Sequence, residues 1–182
     1  MRIRRETEAD RAAADEVNVR AFSSEGPTIG RLLSALRAMP PSECDLALVA
    51  EEDGVIVGST LCTRSLLDAP RRLVDVAVLS PLAVAPEHHG QGIGSALVRA
   101  AIEELSRTSV PLLFLEGDPA FYSRLGFVAG GPLGFRKPSL RTPDEAFQVV
   151  KLPAYADWMT GTLVYAREFW DNDCVGLRDP QA

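Results

Sequence analysis

Cysteine is nearly absent from this sequence. Cys44, Cys62 and Cys174 are few, odd in number and far apart, so neither a disulfide framework nor a C-x-x-C metal site is suggested. Histidine is scarcer still. His88 and His89 stand side by side with no neighbouring cysteine or spaced carboxylates, and no serine or cysteine nucleophile motif goes with them, so no metal site is expected. Excess positive charge is missing too: the net charge of −6 argues against a nonspecific grip on nucleic acid, although it leaves room for a local basic patch. That acidic balance is mildly compatible with a cationic amine substrate, but most acidic proteins owe their charge to solubility alone. No apolar run is long enough to span a membrane. The opening Met1-Arg2-Ile3-Arg4-Arg5 leads into a charged helical pattern rather than the apolar core of a signal peptide, so a cytoplasmic protein without a membrane partner is expected. Neither an internal repeat nor a long linker interrupts the chain. Its 182 residues with 46% hydrophobic content suit one globular domain, 1–182, with a sizeable core.

What is present is concentrated in Leu82 to Leu97, where an apolar run, a glycine-rich turn and a helical pattern follow one another. Gly90, Gly92 and Gly94 allow backbone conformations closed to other residues and let a ligand approach the main chain. The helix that follows has Ile93, Leu97, Ala101 and Leu105 on one ridge and Ser95, Arg99, Glu103 and Arg107 on another. Its first N–H groups lack intrahelical acceptors and its dipole is positive at that end, so a phosphate is the natural guest. Two nucleotide motifs fail on spacing. A G-x-G-x-x-G fingerprint would need glycine where Ser95 stands, and a P-loop would need a lysine after the glycines.

The pattern that fits is L-x-V-x-P-x-x-(Q/R)-x-x-G-x-(G/A), matched by Leu82, Val84, Pro86, Gly92 and Gly94, with His89 at the Q/R position. On these residues the chain resembles the GNAT superfamily of acyl-CoA-dependent N-acyltransferases. Further on, Phe121-Tyr122-Ser123-Arg124-Leu125-Gly126-Phe127 matches the family's F-Y-x-(R/K)-x-G-F. Ile3 to Thr7 looks like the family's first strand and Asp10 to Phe22 like its first helix. Gly117-Asp118-Pro119 and Ala146-Phe147-Gln148-Val149 resemble a YhbS-like bacterial subgroup. The resemblance implies an α/β (α+β) fold, a central, mostly antiparallel, splayed sheet flanked by helices. It implies acetyl-CoA as co-substrate, its pyrophosphate at His89, Gly90, Gln91, Gly92, Ile93, Gly94 and Ser95, and its pantetheine amides on the backbone of Leu82, Ala83 and Val84. Imidazole can still donate a hydrogen bond at position 89, but it is not a permanent cation like arginine.

Elsewhere, Thr7 and Asp10 form a capping-box pattern before a helix to about Phe22, and Ser23 to Pro27 should break it. A second helix is predicted over Ile29 to Ala38. Strands are predicted at Leu46 to Glu51 and Val55 to Leu61, joined by the hairpin dipeptide Asp53-Gly54. Leu73 to Ala85 reads as a strand bulged at Ser80-Pro81, and Leu112 to Leu115 as a buried one. Asp118 caps a helix with Tyr122 early and Gly126 at its end. Further strands are expected at Phe147 to Leu152 and Thr162 to Val164, in a C-terminal part, 130–182, that shapes the acceptor site.

In the chemistry the resemblance implies, an amine attacks the thioester, a tetrahedral oxyanion forms and coenzyme A leaves as a thiolate. Tyr122 is the implied general acid toward sulfur and the Val84 N–H the implied oxyanion donor. A base is not singled out among Glu25, Glu51, Asp75 and Glu116. Cys62 reads as a buried structural thiol. Trp158, Tyr165, Phe169 and Trp170 suit aromatic core or dimer packing better than an acceptor pocket. Three functions stay open: transfer to a small amine or a protein amino group, O-acyl transfer, and an acyl-CoA-binding regulatory module. A homodimer is plausible from the family habit.

Overall fold

The computed structural model describes residues 1–178. Nine strands join one sheet: β1 (Arg2–Arg5), β2 (Leu46–Glu52), β3 (Val55–Asp68), β4 (Leu73–Val84), β5 (Leu112–Glu116), β6 (Val128–Ala129), β7 (Phe135–Arg136), β8 (Phe147–Lys151) and β9 (Gly161–Val164). The helices are α1 (Arg11–Ala21), α2 (Gly26–Arg37), α3 (Ile93–Leu105), α4 (Pro119–Tyr122) and α5 (Arg167–Asp171). The sheet runs β1-β2-β3-β4-β5-β8-β6, with β9 beside β3 and β7. It is antiparallel except at β4/β5 and β7/β9.

The apolar pattern explains the layers. Leu112 and Phe114 of β5 join a core with Ile29, Leu32, Leu33 and Leu36 of α2 and Phe169 of α5. Leu113 and Leu115 point the other way, into a core with Ile93, Leu97, Ala101 and Leu105 of α3. An uninterrupted apolar strand is what two covered faces require.

Several boundaries differ from the sequence reading. β3 continues past Leu61 to Asp68, because polar Thr63 and Ser65 are buried where β4 pairs from Cys62 through Asp68 and β9 takes the second edge at Leu66–Asp68. Pairing overrides their weak apolar signal. The break between α1 and α2 is a single 3-10 turn, Ser23–Glu25, and Pro27 lies in the first turn of α2, where a missing N–H costs nothing. α4 is one turn long, so Tyr122 ends it rather than lying early; a 3-10 turn follows, closed by Gly126 at φ 93°. β6 and β7, two residues each, and α5 were not anticipated.

The feature that positions the site is a split in the sheet. β5 pairs with β4 only at Ala77↔Leu113 and Val78↔Phe114, so the strands part beyond Val78. At the same level the β3/β4 register shifts opposite Ser80-Pro81, whose peptide is cis. The bulge expected there is present.

Candidate active site

On one side of the split, β4 runs into the glycine-rich turn. The Ala85 N–H donates to the Val57 carbonyl at 2.8 Å. Antiparallel alternation then turns the N–H and C=O of Val84 and Leu82, opposite Gly58 and Thr60, away from β3 toward the edge that β5 has left. Ala83, opposite Ser59, turns its backbone groups to β3, and its buried side chain packs with Val17 of α1. The strand alternation thus removes Ala83 from the expected set of contacts.

Gly90 and Gly92 have φ of 76° and 81°, a region side chains disfavour, and a Cβ on either would project into open space. Gly92 caps α3, whose first intrahelical bond runs from Ala96 N–H to the Gly92 carbonyl at 3.0 Å. The N–H groups of Ile93, Gly94 and Ser95 are therefore free of the helix. They open on a cavity of about 540 Å³ lined also by Leu82, Val84, His88, Gly90, Phe121 and Arg124. Positive dipole, free amides and a main chain bare of side chains fit a pyrophosphate.

His89 lines this cavity, but its Nε2 lies 2.8 Å from the Val84 carbonyl, tying the turn to the strand end. The Gln91 side chain bends back toward the Glu87 carbonyl at 3.4 Å and does not line the cavity, contrary to expectation. Arg124 supplies a cation that the choice of site residues from sequence passed over, although it stood within the second motif. A Glu87–Arg20 ion pair of 2.7 Å ties the turn to α1.

Tyr122 lines neither this cavity nor the one described next. Its ring meets Phe121 edge-on at 4.8 Å and Phe127 at 5.7 Å. It lies so close to Gly117 that a Cβ there would fall 2.3 Å from Tyr122 Cε2, which explains the glycine. Burial pushes the phenol up to about 12, so it holds its proton at neutral pH.

Across the split is a second cavity, of about 580 Å³. Ser80 of the β4 bulge and Glu116 at the end of β5 form its inner wall. Ile29 and Leu32 of α2 and Tyr165 and Phe169 give apolar surface, and Glu25, Arg31 and Asp173 stand around it. Glu116 accepts from the Thr142 hydroxyl and the Gly176 N–H, each at 3.2 Å, and faces the Tyr165 hydroxyl. Burial outweighs these donors and raises its pKa.

Of the four carboxylates considered as bases, Glu25 and Glu116 share this cavity. Glu51 is taken up by Arg4 at 2.6 Å, and Asp75 lines other grooves, beside Arg64. Cys62 is fully buried, which raises its pKa strongly. Of the four aromatics, Tyr165 and Phe169 line the cavity from within the core, Trp158 lies under Arg71 and Arg72, and Trp170 is exposed. Among the described residues there is no group of three or more histidine, cysteine or acidic side chains able to hold a metal ion, and no helix long and apolar enough to cross a membrane.

Comparison with known proteins gives the family. Residues 43–129 match the model of the acetyltransferase (GNAT) domain. The chain is 31% identical over 173 residues to the uncharacterized N-acetyltransferase YhbS of Escherichia coli strain K12, covering 93% of this chain and 98% of that protein. The crystal structure of E. coli YhbS in complex with CoA superposes with a TM-score of 0.80 at 29% identity, over 92% of this chain and 91% of that one. A GNAT family acetyltransferase from Brucella melitensis, in complex with acetyl-CoA, gives 0.73 at 28% identity, over 92% and 97%. The chain belongs to the GNAT acetyltransferase family.

Proposed function

We propose that this protein is an N-acetyltransferase that carries an acetyl group from acetyl-CoA to a primary amine, the two substrates meeting at the β4/β5 split from opposite cavities. The observation that carries the reading is the pairing of a main-chain anion cradle with an unpaired β4 edge, in a chain whose structural relatives hold CoA and acetyl-CoA. The thioester supplies an activated acyl carbonyl. The protein's own groups do the rest.

The N–H groups of Ile93, Gly94 and Ser95 hold the pyrophosphate, and Leu82 offers backbone N–H and C=O to the pantetheine as an added strand would use them. The Val84 carbonyl is taken by His89, so Val84 contributes its N–H alone, directed to where negative charge develops on the acyl oxygen. Tyr122, kept protonated by burial, delivers a proton to the departing sulfur. An amine of pKa near 10.4 is about one part in 10³ neutral at pH 7, roughly 4 to 5 kcal/mol uphill. Glu116, at the split and made more basic by burial, takes that proton.

Acetyl-CoA titrated calorimetrically, followed by free-thiol release with a panel of amines, tests the reading. Binding with amine-dependent release is expected. Binding without release would leave a coenzyme-binding module, release with alcohols alone would make it an O-acyltransferase, and no binding would overturn the assignment of the Leu82–Ser95 cradle.

A further inference from the structure

Glu116 is held at both carboxylate oxygens by donors 26 and 60 residues downstream. The Thr142 hydroxyl donates to Oε1 and the Gly176 N–H to Oε2, each at 3.2 Å. Thr142 is fully buried in the loop between β7 and β8, and its own backbone is fixed there. Its N–H donates to the Ser139 carbonyl at 3.2 Å, and its carbonyl accepts from Lys137 Nζ at 2.6 Å. Gly176 belongs to the segment that follows α5. That segment is docked on the same loop, since the Leu177 N–H donates to the Arg141 carbonyl at 3.1 Å. Gly176 has φ 60°, and a Cβ there would fall 2.6 Å from the Arg141 carbonyl carbon and 2.7 Å from the Thr142 nitrogen. Glycine is what lets its N–H come this close.

Burial disfavours the charged form of Glu116, the form a base must have, and donors aimed at its oxygens favour it. One donor at each oxygen also fixes the plane of the carboxylate, which otherwise turns freely about its last bond. A carboxylate has about four acceptor positions, so capacity is left for a proton on the cavity that Glu116 lines beside Ser80. We propose that Thr142 and Gly176 are positioning residues of acetyl transfer, holding the Glu116 carboxylate from both oxygens and acting through it rather than on the amine. The inference rests on the reading of Glu116 as the base. Other ionisable groups face Glu116: Tyr165 after β9, Arg141 in the loop and, lining the same cavity, Glu25, Arg31, Asp173 and Cys174. None of them is changed in the variants that follow.

The test is the acidic limb of kcat/KM against pH, read by thiol release at saturating acetyl-CoA with the fastest of butylamine, diaminobutane and aminobutyrate as acceptor. Thr142→Val removes the hydroxyl and keeps the shape, so the limb should move up by about one pH unit, the worth of one hydrogen bond to a charged group. Thr142→Ser keeps the donor and should leave the limb where the unmodified protein has it. Gly176→Ala, whose Cβ pushes the segment off Arg141 and Thr142, should move it up as valine does. Acetyl-CoA affinity by calorimetry should stay within about twofold throughout, a check on folding that a collapsed variant would fail. If valine fails that check, Thr142→Ala removes the same hydroxyl with a smaller side chain and carries the same expectation. A limb that stays in place in the folded Thr142 and Gly176 variants, or that moves as far in Thr142→Ser as in Thr142→Val, overturns the proposal and leaves the base reading intact. A limb moved by only one of the two positions strikes the other from the assignment. An unmodified protein without an acidic limb, or a limb that persists in Glu116→Gln, overturns the base and its positioning together. Release with none of the three amines overturns transfer to small amines and the proposal with it.

Discussion

The two cavities flanking the β4/β5 split are built by opposite means. The coenzyme cradle comes mostly from one short stretch, Leu82 to Ser95, and works largely through main-chain N–H groups and the bare backbone of Gly90 and Gly92. The second cavity, the proposed acceptor site, draws side chains from Glu25 to Leu177, on four separate stretches, and its character lies in which of them are charged. A site made of backbone constrains the sequence locally, through glycine, spacing and a helix start. A site made of distant side chains constrains only what the fold brings together, and each contributor can vary alone.

The largest effect should come from the proposed proton donor, which lies behind Phe121 and lines neither cavity. Tyr122→Phe is expected to lower kcat by about 10²- to 10⁴-fold, the usual worth of a positioned proton donor, while acetyl-CoA affinity by calorimetry stays within about twofold. The phenol, held at about 12 by burial, should also sustain the rate to higher pH than an ordinary tyrosine would. Folding favours its protonated form, so its contribution to stability is full below the unfolded value near 10 and is lost as pH rises toward 12. An unchanged kcat would make Tyr122 a packing residue against Gly117 and Phe127.

Breaking the main-chain half alone comes next. Gly92→Val places a β-branched side chain at φ 81°, a strain on the order of 1 to 3 kcal/mol that the chain relieves by turning the first α3 amides away from the cradle. Acetyl-CoA affinity should fall roughly tenfold to a hundredfold. The amine KM should hold at saturating acetyl-CoA. Coenzyme affinity unaffected by valine would mean that the cradle does not work through those amides.

The same contrast decides what could be read in the sequence. The strand, turn and helix from Leu82 to Leu105 were legible because apolar period, glycine spacing and capping agree there, and the Ser80-Pro81 bulge was legible from proline inside a strand. Two members of the cradle differ from the expectation on direction: Ala83, whose backbone N–H and C=O strand alternation turns to β3, and Gln91, whose side chain folds back on Glu87. Arg124 was visible in a motif but its facing was not. On the acceptor side, Glu25 and Glu116 were noticed singly as acids; that they share a cavity while Glu51 is held by Arg4 is a property of the sheet, which no local pattern reports. β6, β7 and α5 are too short for periodicity to show.

A pH profile sharpens the acceptor half. In the proposed mechanism the carboxylate of Glu116 is the working form, and burial raises its pKa, so kcat/KM for the amine should fall as pH drops through a value above the ordinary glutamate range. For folding, the raised pKa means that Glu116 stabilises below its unfolded value near 4.3 and that this contribution is lost as pH rises through the folded value. Glu116→Gln should remove the acidic limb and most of the rate. An acidic limb at the ordinary carboxylate position in both proteins would assign the proton to water.

The smallest expected effect tests whether the cradle is as purely main-chain as its glycines suggest. Arg124 is exposed and has no ion-pair partner among the described residues, and its side chain is the arginine that lines the coenzyme cavity. Exposed charge contacts are worth about 0.2 to 1 kcal/mol, so Arg124→Gln should weaken acetyl-CoA by about two- to fivefold near physiological salt. Raising salt to about 1 M shortens the Debye length from about 8 Å to about 3 Å, and the difference between variant and unmodified protein should close there. The amide contacts at Ile93, Gly94 and Ser95 are short-range and survive that screening. Affinity remaining in both proteins at high salt is then the share held by the backbone, and a loss that persists at high salt would move Arg124 from a screened charge to a direct, bidentate contact with phosphate.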